Sequence, residues 1–182
     1  MQNQINSLIK ACKKGSHVAQ MQVYDNYAQA MFTIACRYLN DEEDAKDAIQ
    51  EGFLKAFINI NQYRPEATFG AWLKRIIINQ CLDLLKKRKL EFSDTEVERL
   101  NIIEDNNWEF DNSISKIEIL EAIEQLNQKH KIVVQLYLIE GYDHNEISEI
   151  LKIPIKTSRT HLSRGKAKLR ELLKPMYNEA RY

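Results

Sequence analysis

The stretch Gly141–Leu173, GYDHNEISEILKIPIKTSRTHLSRGKAKLRELL, decides how the chain is interpreted. Its first part predicts a short helix, because isoleucine and leucine recur at helical spacing and Asp143 or His144 stands where an N-terminal cap belongs. Lys152 and Pro154 then interrupt that helix, since proline disfavours helical backbone in the residue before it and can itself start a new helix. A second helix is expected at once, so the stretch predicts a helix-turn-helix.

The second helix of this stretch has two unlike faces. Ser158, Leu162, Gly165, Leu169 and Leu172 recur at helical period and predict a buried stripe. The opposite face carries cations and hydroxyls, and in a helix-turn-helix such groups contact base edges and phosphates. A basic face can equally be solvated, but a tight turn directly before it favours DNA binding. The candidate DNA contacts are Lys156, Arg159, Thr160, Ser163, Arg164 and Lys168.

The composition predicts an all-α protein without a membrane segment. A length of 182 residues with 44% hydrophobic content suits one medium domain or two small ones. Only 5 glycines and 3 prolines are present, and helical periodicity recurs throughout. No stretch approaches the roughly 18 apolar residues of a membrane span, and the N-terminus lacks the layout of a signal peptide. We therefore expect the protein in the cytoplasm, without membrane insertion.

Nothing in the sequence points to catalysis. Cys12, Cys36 and Cys81 lack metal-binding spacing and fall on or near apolar helix faces, so we interpret them as reduced core residues. The 4 histidines are scattered, and no catalytic triad, zinc or phosphate-binding pattern occurs. The sequence therefore predicts a protein that is not an enzyme and that binds no cofactor or metal.

The charge is balanced overall but uneven along the chain. The totals are 26 basic and 26 acidic residues, yet the net charge is +4 over residues 1–90, −9 over 91–125 and +5 over 126–182. A local field, rather than the total charge, attracts a polyanion. Two basic modules flanking an acidic tether are thus compatible with nucleic-acid binding.

The segment after Asn40 predicts the most regular helix of the chain. The acids of Asp41–Asp44 suit a helix N-terminus, and an unbroken apolar stripe runs from Ala45 to Ile60. Leu54 is the exception, because it points outward among polar neighbours. It indicates either a protein partner or an isolated surface leucine.

The segment Asn61–Ala67, NQYRPEA, predicts a loop before a long helix. Thr68 should cap that helix, which is expected to run to Leu85 or Lys87. An exposed tyrosine and asparagine beside cations form a mixture that stacks on and hydrogen-bonds unpaired bases. The cations of Lys86–Lys89 fit phosphate contact, although a solvated helix end that matches the helix dipole is the alternative.

These patterns predict two small helical domains joined by an acidic linker. The first domain covers residues 1–90 and the second 113–182, a four-helix unit that ends in the helix-turn-helix. Residues 91–112 are acidic and irregular, and they form the expected linker.

With these residues in view, the chain resembles a sigma factor of bacterial RNA polymerase, of the extracytoplasmic-function (ECF) group of the sigma-70 family. Asp44–Leu54, DAKDAIQEGFL, is similar to the family's polymerase-docking helix. Phe69–Asn79, FGAWLKRIIIN, resembles the segment that reads and opens the minus-ten promoter element. The residues that resemble the minus-thirty-five recognition helix are Ile153, Pro154, Thr157, Leu162, Arg164, Ala167 and Leu169.

The resemblance implies a set of partners and contacts. The partners are promoter DNA, core RNA polymerase through the clamp coiled coil of its largest subunit and the flap of its second-largest subunit, and an anti-sigma factor. The implied polymerase contacts are Asp47, Gln50, Glu51 and Leu54. The implied minus-ten contacts are Tyr63, Arg64, Trp72, Arg75, Asn79, Lys86 and Arg88.

Three residues depart from the family's pattern. Lys152 and Lys156 replace frequent glycines, which puts the geometry of the turn in question. Ser158 replaces a buried valine and should weaken packing unless its hydroxyl finds a backbone carbonyl.

Two other functions stay open on the residues alone: a stand-alone transcription regulator that uses the same helix-turn-helix, and a protein-binding adaptor whose basic faces are solvated.

Overall fold

The computed structural model describes residues 2–90 and 115–179, with side chains over 4–87 and 115–174, and every regular element in these ranges is helical. The chain divides into two compact units, unit 1 from Met1 to Thr95 and unit 2 from Glu96 to Tyr182. The predicted linker 91–112 and the side chain of Arg88 lie outside the described residues. The elements are α1 Gln2–Lys13, α2 His17–Tyr38, α3 Glu42–Ile58, a 3₁₀ turn Ile60–Gln62, α4 Phe69–Leu90, α5 Lys116–Glu124, α6 Gln128–Val134, a π-helical turn Gln135–Ile139, α7 His144–Leu151 and α8 Ile155–Glu179.

The helices of unit 1 begin where capping residues stand in the sequence. The Ser16 hydroxyl accepts a hydrogen bond from the Ala19 amide at 3.3 Å, and the Asp41 carboxylate accepts from the next turn of α3. The Thr68 hydroxyl accepts from the Ala71 amide at 3.3 Å, as predicted. These bonds satisfy amides that a helix N-terminus leaves unpaired.

The core of unit 1 lies among α2, α3 and α4. The predicted stripe of α3 is buried from Ala45 to Ala56. In α4 the buried surface is wider than a single helical stripe, because Ile78 and Leu82 are buried together with Leu73 and Ile77. The cause is that α4 packs against both α2 and α3, so it has two inner faces.

Helical spacing predicts Val18, Met21 and Ile117 as core residues, and this prediction is wrong at all three. Val18 and Met21 were expected in the stripe of α2, but they are 72% and 62% exposed, and Ala19 and Val23 are buried instead. Apolar residues of α2 occupy more than one face, and the packing of α1, α3 and α4 on it selects which face is buried. In unit 2, Ile117 was also expected in the core and is 68% exposed.

Unit 2 is built from short helices against the long α8. Ser115 forms a capping box with Glu118 at the start of α5, whereas the predicted opening residue, Ser113, lies outside the described residues. Asn127 caps α6, and Gly141, at φ 78°, lies just beyond the π-helical turn. Gly165 permits a close approach, because an added Cβ there would lie 2.5 Å from Val134 Cγ2. No helix in the described part of the chain is long and apolar enough to cross a bilayer.

Candidate functional site

The turn between α7 and α8 has the tight geometry that the sequence predicts. Asp143 is the cap of α7, and its carboxylate accepts from the Asn145 and Glu146 amides at 2.7 and 2.8 Å. Lys152 ends α7 in the left-handed conformation, at φ 56° and ψ 45°, where glycine is favoured. The Ser148 hydroxyl donates to the Ile153 carbonyl at 2.6 Å, which fixes the turn. The lysine therefore replaces glycine without loss of the turn.

The inner face of α8 is buried at Ser158, Leu162, Gly165 and Leu169 as predicted, but Leu172 is half-buried and Leu173 is buried instead. The polar member of this face is hydrogen-bonded. Ser158 is fully buried, and its Oγ lies 2.9 Å from Nδ1 of His144 on α7. The partner is a histidine ring rather than the backbone carbonyl considered from the sequence. Leu162 and Leu169 are buried on the same face. The contact offsets the cost of burying a hydroxyl and joins the two helices of the motif.

The outer face of α8 carries the predicted cations and hydroxyls. Lys156, Arg159 and Lys168 are exposed, and Thr160, Ser163 and Arg164 are half-buried. The Thr160 hydroxyl donates to the Lys156 carbonyl at 2.9 Å, so its oxygen remains available as an acceptor. Nε of Arg164 is buried and has no hydrogen-bond partner among the described residues. A ligand with acceptor atoms is the complement of this face.

Three histidines lie on or beside this helix. The rings of His130 on α6 and His161 on α8 are 5.4 Å apart, and the ring of His144 is 4.8 Å from that of Tyr137. Burial lowers the pKa of His144, and the positive charges of Arg159 and Lys166 lower it further. The negative charge of Asp143 partly opposes this by raising it. Burial also lowers the pKa of His161. These ring contacts could not be predicted from the sequence, because they form only where α8 packs against α6 and α7.

The outer face of α4 presents polar side chains over the core of unit 1. Arg75, Asn79 and Lys86 are exposed, and Trp72 is half-buried. Lys86 lies 3.8 Å from Asp83 on the same face. Their predicted exposure is therefore found, and their contact with DNA stays a prediction.

Tyr63 was expected to be exposed in the loop, and this prediction is wrong because its side chain is buried. It is 6% exposed, and its hydroxyl donates to the Ala67 carbonyl at 2.9 Å. Its ring centroid lies 5.5 Å from that of Phe69 and 5.6 Å from that of Trp72. The two aromatic neighbours provide an apolar surface, and the carbonyl satisfies the hydroxyl. Tyr63 thus holds the loop together and offers no free ring face for a base.

The outer face of α3 borders a groove against α4. The groove is a cavity of about 520 Å³ lined by the four predicted residues and Lys55 from α3, with residues of α4 opposite. Leu54 is 58% exposed at its edge, and the Lys55 ammonium donates to the Gln80 side chain across it. The groove thus combines acidic and polar side chains with the apolar side chains of Leu54 and Leu84. The α4 residues Gln80, Leu84 and Lys87 also line this surface, and they were not predicted from the sequence.

The described residues contain no metal site. Among them, no group of three or more His, Cys, Asp or Glu could hold a metal ion. Cys12 and Cys81 are buried free thiols, and burial raises the pKa of Cys81 to about 12. Such a thiol is unreactive at neutral pH.

Comparison with known proteins identifies the family. The family models for Sigma-70 region 2 and Sigma-70 region 4 match residues 23–91 and 116–169. The chain is thus a sigma factor of the sigma-70 type, which gives RNA polymerase its promoter recognition.

The relatives narrow the group. The ECF RNA polymerase sigma factor SigW of Bacillus subtilis is 32% identical over 97% of this chain and 100% of its own length. The RNA polymerase sigma-H factor of Pseudomonas aeruginosa is 25% identical over 98% of each chain. The chain belongs to the ECF sigma factors.

Solved structures show the same fold. The sigma factor RpoE of Bartonella quintana, solved in complex with the anti-sigma factor NepR, aligns with a TM-score of 0.55 at 22% identity, over 85% of this chain and 96% of that one. CnrH, solved in complex with the cytosolic domain of CnrY, aligns with a TM-score of 0.55 at 22% identity, over 92% of this chain and 96% of that one.

Proposed function

We propose that three surfaces divide the work of this sigma factor and that none of them performs chemistry. The outer face of α3 docks on core RNA polymerase. The outer face of α4, with the preceding loop, reads and opens the minus-ten element. The outer face of α8 reads the minus-thirty-five element.

The groove beside α3 fits a helical partner with basic side chains. Its acidic residues, which include Asp47 and Glu51, attract cations, and Leu54 supplies an exposed apolar contact at its edge. A partner helix could lie in this groove, cover the Leu54 side chain with an apolar residue and pair its basic residues with the acidic ones. We assign this surface to the clamp coiled coil of the largest polymerase subunit, and a surface of unit 2 to the flap of the second-largest subunit.

The α4 surface fits an opened strand. Arg64, Arg75 and Lys86 supply exposed cations, and Asn79 supplies an amide that can donate and accept hydrogen bonds. Trp72 is half-buried against Phe69 and Tyr63, so an edge of its ring borders this face. Capture of an unstacked base offsets a few kcal/mol of unstacking. Tyr63 shapes this surface from below, and Arg88 is included only on the family's pattern.

The α8 surface fits duplex DNA in the major groove. Arg159 and Lys156 are exposed near the start of the helix, where helix-turn-helix proteins contact bases. Arg164 lies five residues after Arg159 and is half-buried, and its Nε lacks a hydrogen-bond partner among the described residues. The arrangement of this cationic face opposite a buried stripe, directly after a tight turn, is the observation that carries the proposal.

Arg164→Ala tests this surface. It should cost about 1–3 kcal/mol of upstream promoter binding if Arg164 is bidentate to a guanine, with loss of discrimination at one base pair. Transcription by core polymerase with this chain, measured on promoters with intact and altered upstream elements, provides the readout. Lys174→Ala is the matched control, since Lys174 is exposed on the same helix outside the candidate contacts. Unchanged binding by Arg164→Ala would remove this residue from the contact surface.

An anti-sigma factor is the proposed regulator. One structural neighbour, the sigma factor RpoE of Bartonella quintana, was solved in complex with the anti-sigma factor NepR, and a second, CnrH, in complex with the cytosolic domain of CnrY. The α3 groove is exposed in the free chain, so an inhibitor that covers it would compete with polymerase.

Dependence of promoter-specific transcription on core polymerase separates the function of a sigma factor from that of a stand-alone regulator, which would occupy its operator without polymerase.

A further inference from the structure

The loop Asn61–Ala67, which precedes α4, is organised around Tyr63. The Tyr63 hydroxyl donates to the Ala67 carbonyl at 2.9 Å, and Nη1 of Arg64 donates to the Asn61 carbonyl at 3.1 Å. Asn61 and Arg64 are exposed while Tyr63 is buried. The loop therefore presents polar groups on a fixed aromatic base.

A residue distant in sequence fastens this loop from outside. Nζ of Lys13, in the last turn of α1, donates to the Tyr63 carbonyl at 3.2 Å and lies 5.8 Å from the centroid of the Tyr63 ring. Both contacts go to the same residue, 50 positions away along the chain. One is a charge-assisted hydrogen bond and the other a cation–π contact, so they orient the ammonium together.

The hydrogen bond from Lys13 to the Tyr63 carbonyl orients the backbone that leads to Arg64. The Tyr63 carbonyl belongs to the peptide group that joins Tyr63 to Arg64, and a peptide group is planar. A bond to that oxygen therefore fixes the direction of the Arg64 amide in the same plane. Arg64 in turn holds Asn61 through its own bond, so the orientation of both exposed residues depends on Lys13.

Lys13 is not required to attach α1 to unit 1. Ile9 and Cys12 of the same helix are 4% and 3% exposed and supply the buried contacts of α1. Lys13 itself is exposed, so its ordering serves the loop rather than the core.

We infer that Lys13 is a positioning residue for base recognition: it holds the loop Asn61–Ala67 in the orientation that reads the opened minus-ten strand. This inference rests on the proposed role of the loop and α4 surface. It assigns to α1 a part in promoter discrimination without direct contact with DNA.

The test compares full-length variants. Lys13→Met keeps the aliphatic length but removes the donor and the charge, and Lys13→Arg keeps both. Lys14→Met removes an adjacent exposed charge and is the matched control. Each variant is assembled with core polymerase and given a promoter library randomised in the minus-ten segment, and bound sequences are counted. Hydrogen exchange of residues 61–68 in the free chain is measured in parallel.

Lys13→Met is expected to reduce discrimination at a subset of randomised positions by roughly fivefold, as loss of one hydrogen bond implies, and to speed exchange in the loop. Lys13→Arg and Lys14→Met should resemble the unaltered chain. An equal loss of binding for every library sequence would identify a phosphate contact and overturn the inference. Unchanged discrimination or unchanged loop exchange in Lys13→Met would overturn it as well. If the unaltered chain shows no base preference in this segment, the proposed role of the surface fails instead.

Discussion

The two helices proposed to read DNA, α4 and α8, present similar polar faces but are held in place by different interactions. The inner face of α4 begins with Phe69 and continues through Leu73 and Ile77, all at most 1% exposed. The inner face of α8 buries Ser158 and Gly165 among its leucines, with histidines of α6 and α7 against it. Two helices with similar polar outer faces can therefore be packed through inner faces of different composition.

The difference has consequences for stability. Packing by aromatic and aliphatic side chains depends on shape and volume and is insensitive to pH. Hydrogen bonds and ring contacts of buried histidines depend on protonation. Unit 1 should accordingly be sensitive to truncation of core side chains, and unit 2 to acid.

The largest effect is expected for Phe69→Ala. The ring of Phe69 contacts those of Tyr27, Tyr63 and Trp72, at centroid distances of 5.4 to 5.5 Å. Its removal should lower the free energy of unfolding of unit 1 by about 3–5 kcal/mol, through lost burial and a residual cavity. Urea denaturation with hydrogen exchange of α2 to α4 measures it. Ser158→Ala in unit 2 is the comparison, with an expected cost of about 1 kcal/mol for one hydrogen bond. Equal costs would contradict the distinction.

A smaller effect is expected from acid, in unit 2. Folding lowers the pKa of His144 and of His161, mainly by burial, so the unfolded chain binds protons more readily. The groups that act on these rings are Asp143, Arg159 and Lys166 for His144, and His130, Lys129 and Arg164 for His161. The stability of unit 2 should therefore be retained above about pH 6.5 and fall below it.

Urea midpoints at about pH 7.5 and about pH 5.5 measure this loss, in a range where most carboxylates stay ionised. The double substitution His144→Gln and His161→Gln should reduce the pH dependence. His17→Gln should leave it unchanged, because His17 is exposed in unit 1. A pH dependence that survives the double substitution would place its origin elsewhere.

The smallest effect concerns the left-handed residues that end helices. Lys152→Gly should stabilise unit 2 by less than about 1 kcal/mol, since relief of about 1–2 kcal/mol of left-handed strain is offset by the flexibility of glycine in the unfolded chain. Gly15→Ala in unit 1 should have the opposite sign, because Gly15 has φ 82° and no atom within 4 Å of an added Cβ. Thermal denaturation measures both. A destabilised Lys152→Gly would indicate that the lysine side chain contributes to the turn.

Local sequence signals predicted the helices and several of their ends. Asp41, Thr68 and Asn127 cap helices as expected, because a cap requires only a side-chain oxygen and amides a few residues away. The exposure of Arg159 was predicted from periodicity, which placed it opposite the buried stripe of α8. Such signals act within one or two turns of helix, so they can be recognised without a tertiary structure.

The sequence by itself determined the all-helical fold, the tight turn before α8 and the polar outer faces, because these follow from neighbours along the chain. The tertiary structure alone decided which face of α2 is buried, why Tyr63 is a core residue, that Ser158 pairs with His144, and that Lys13 reaches the loop of α4. In each of these cases the deciding partner lies on another element. Periodicity identifies a face, but only packing chooses its neighbour.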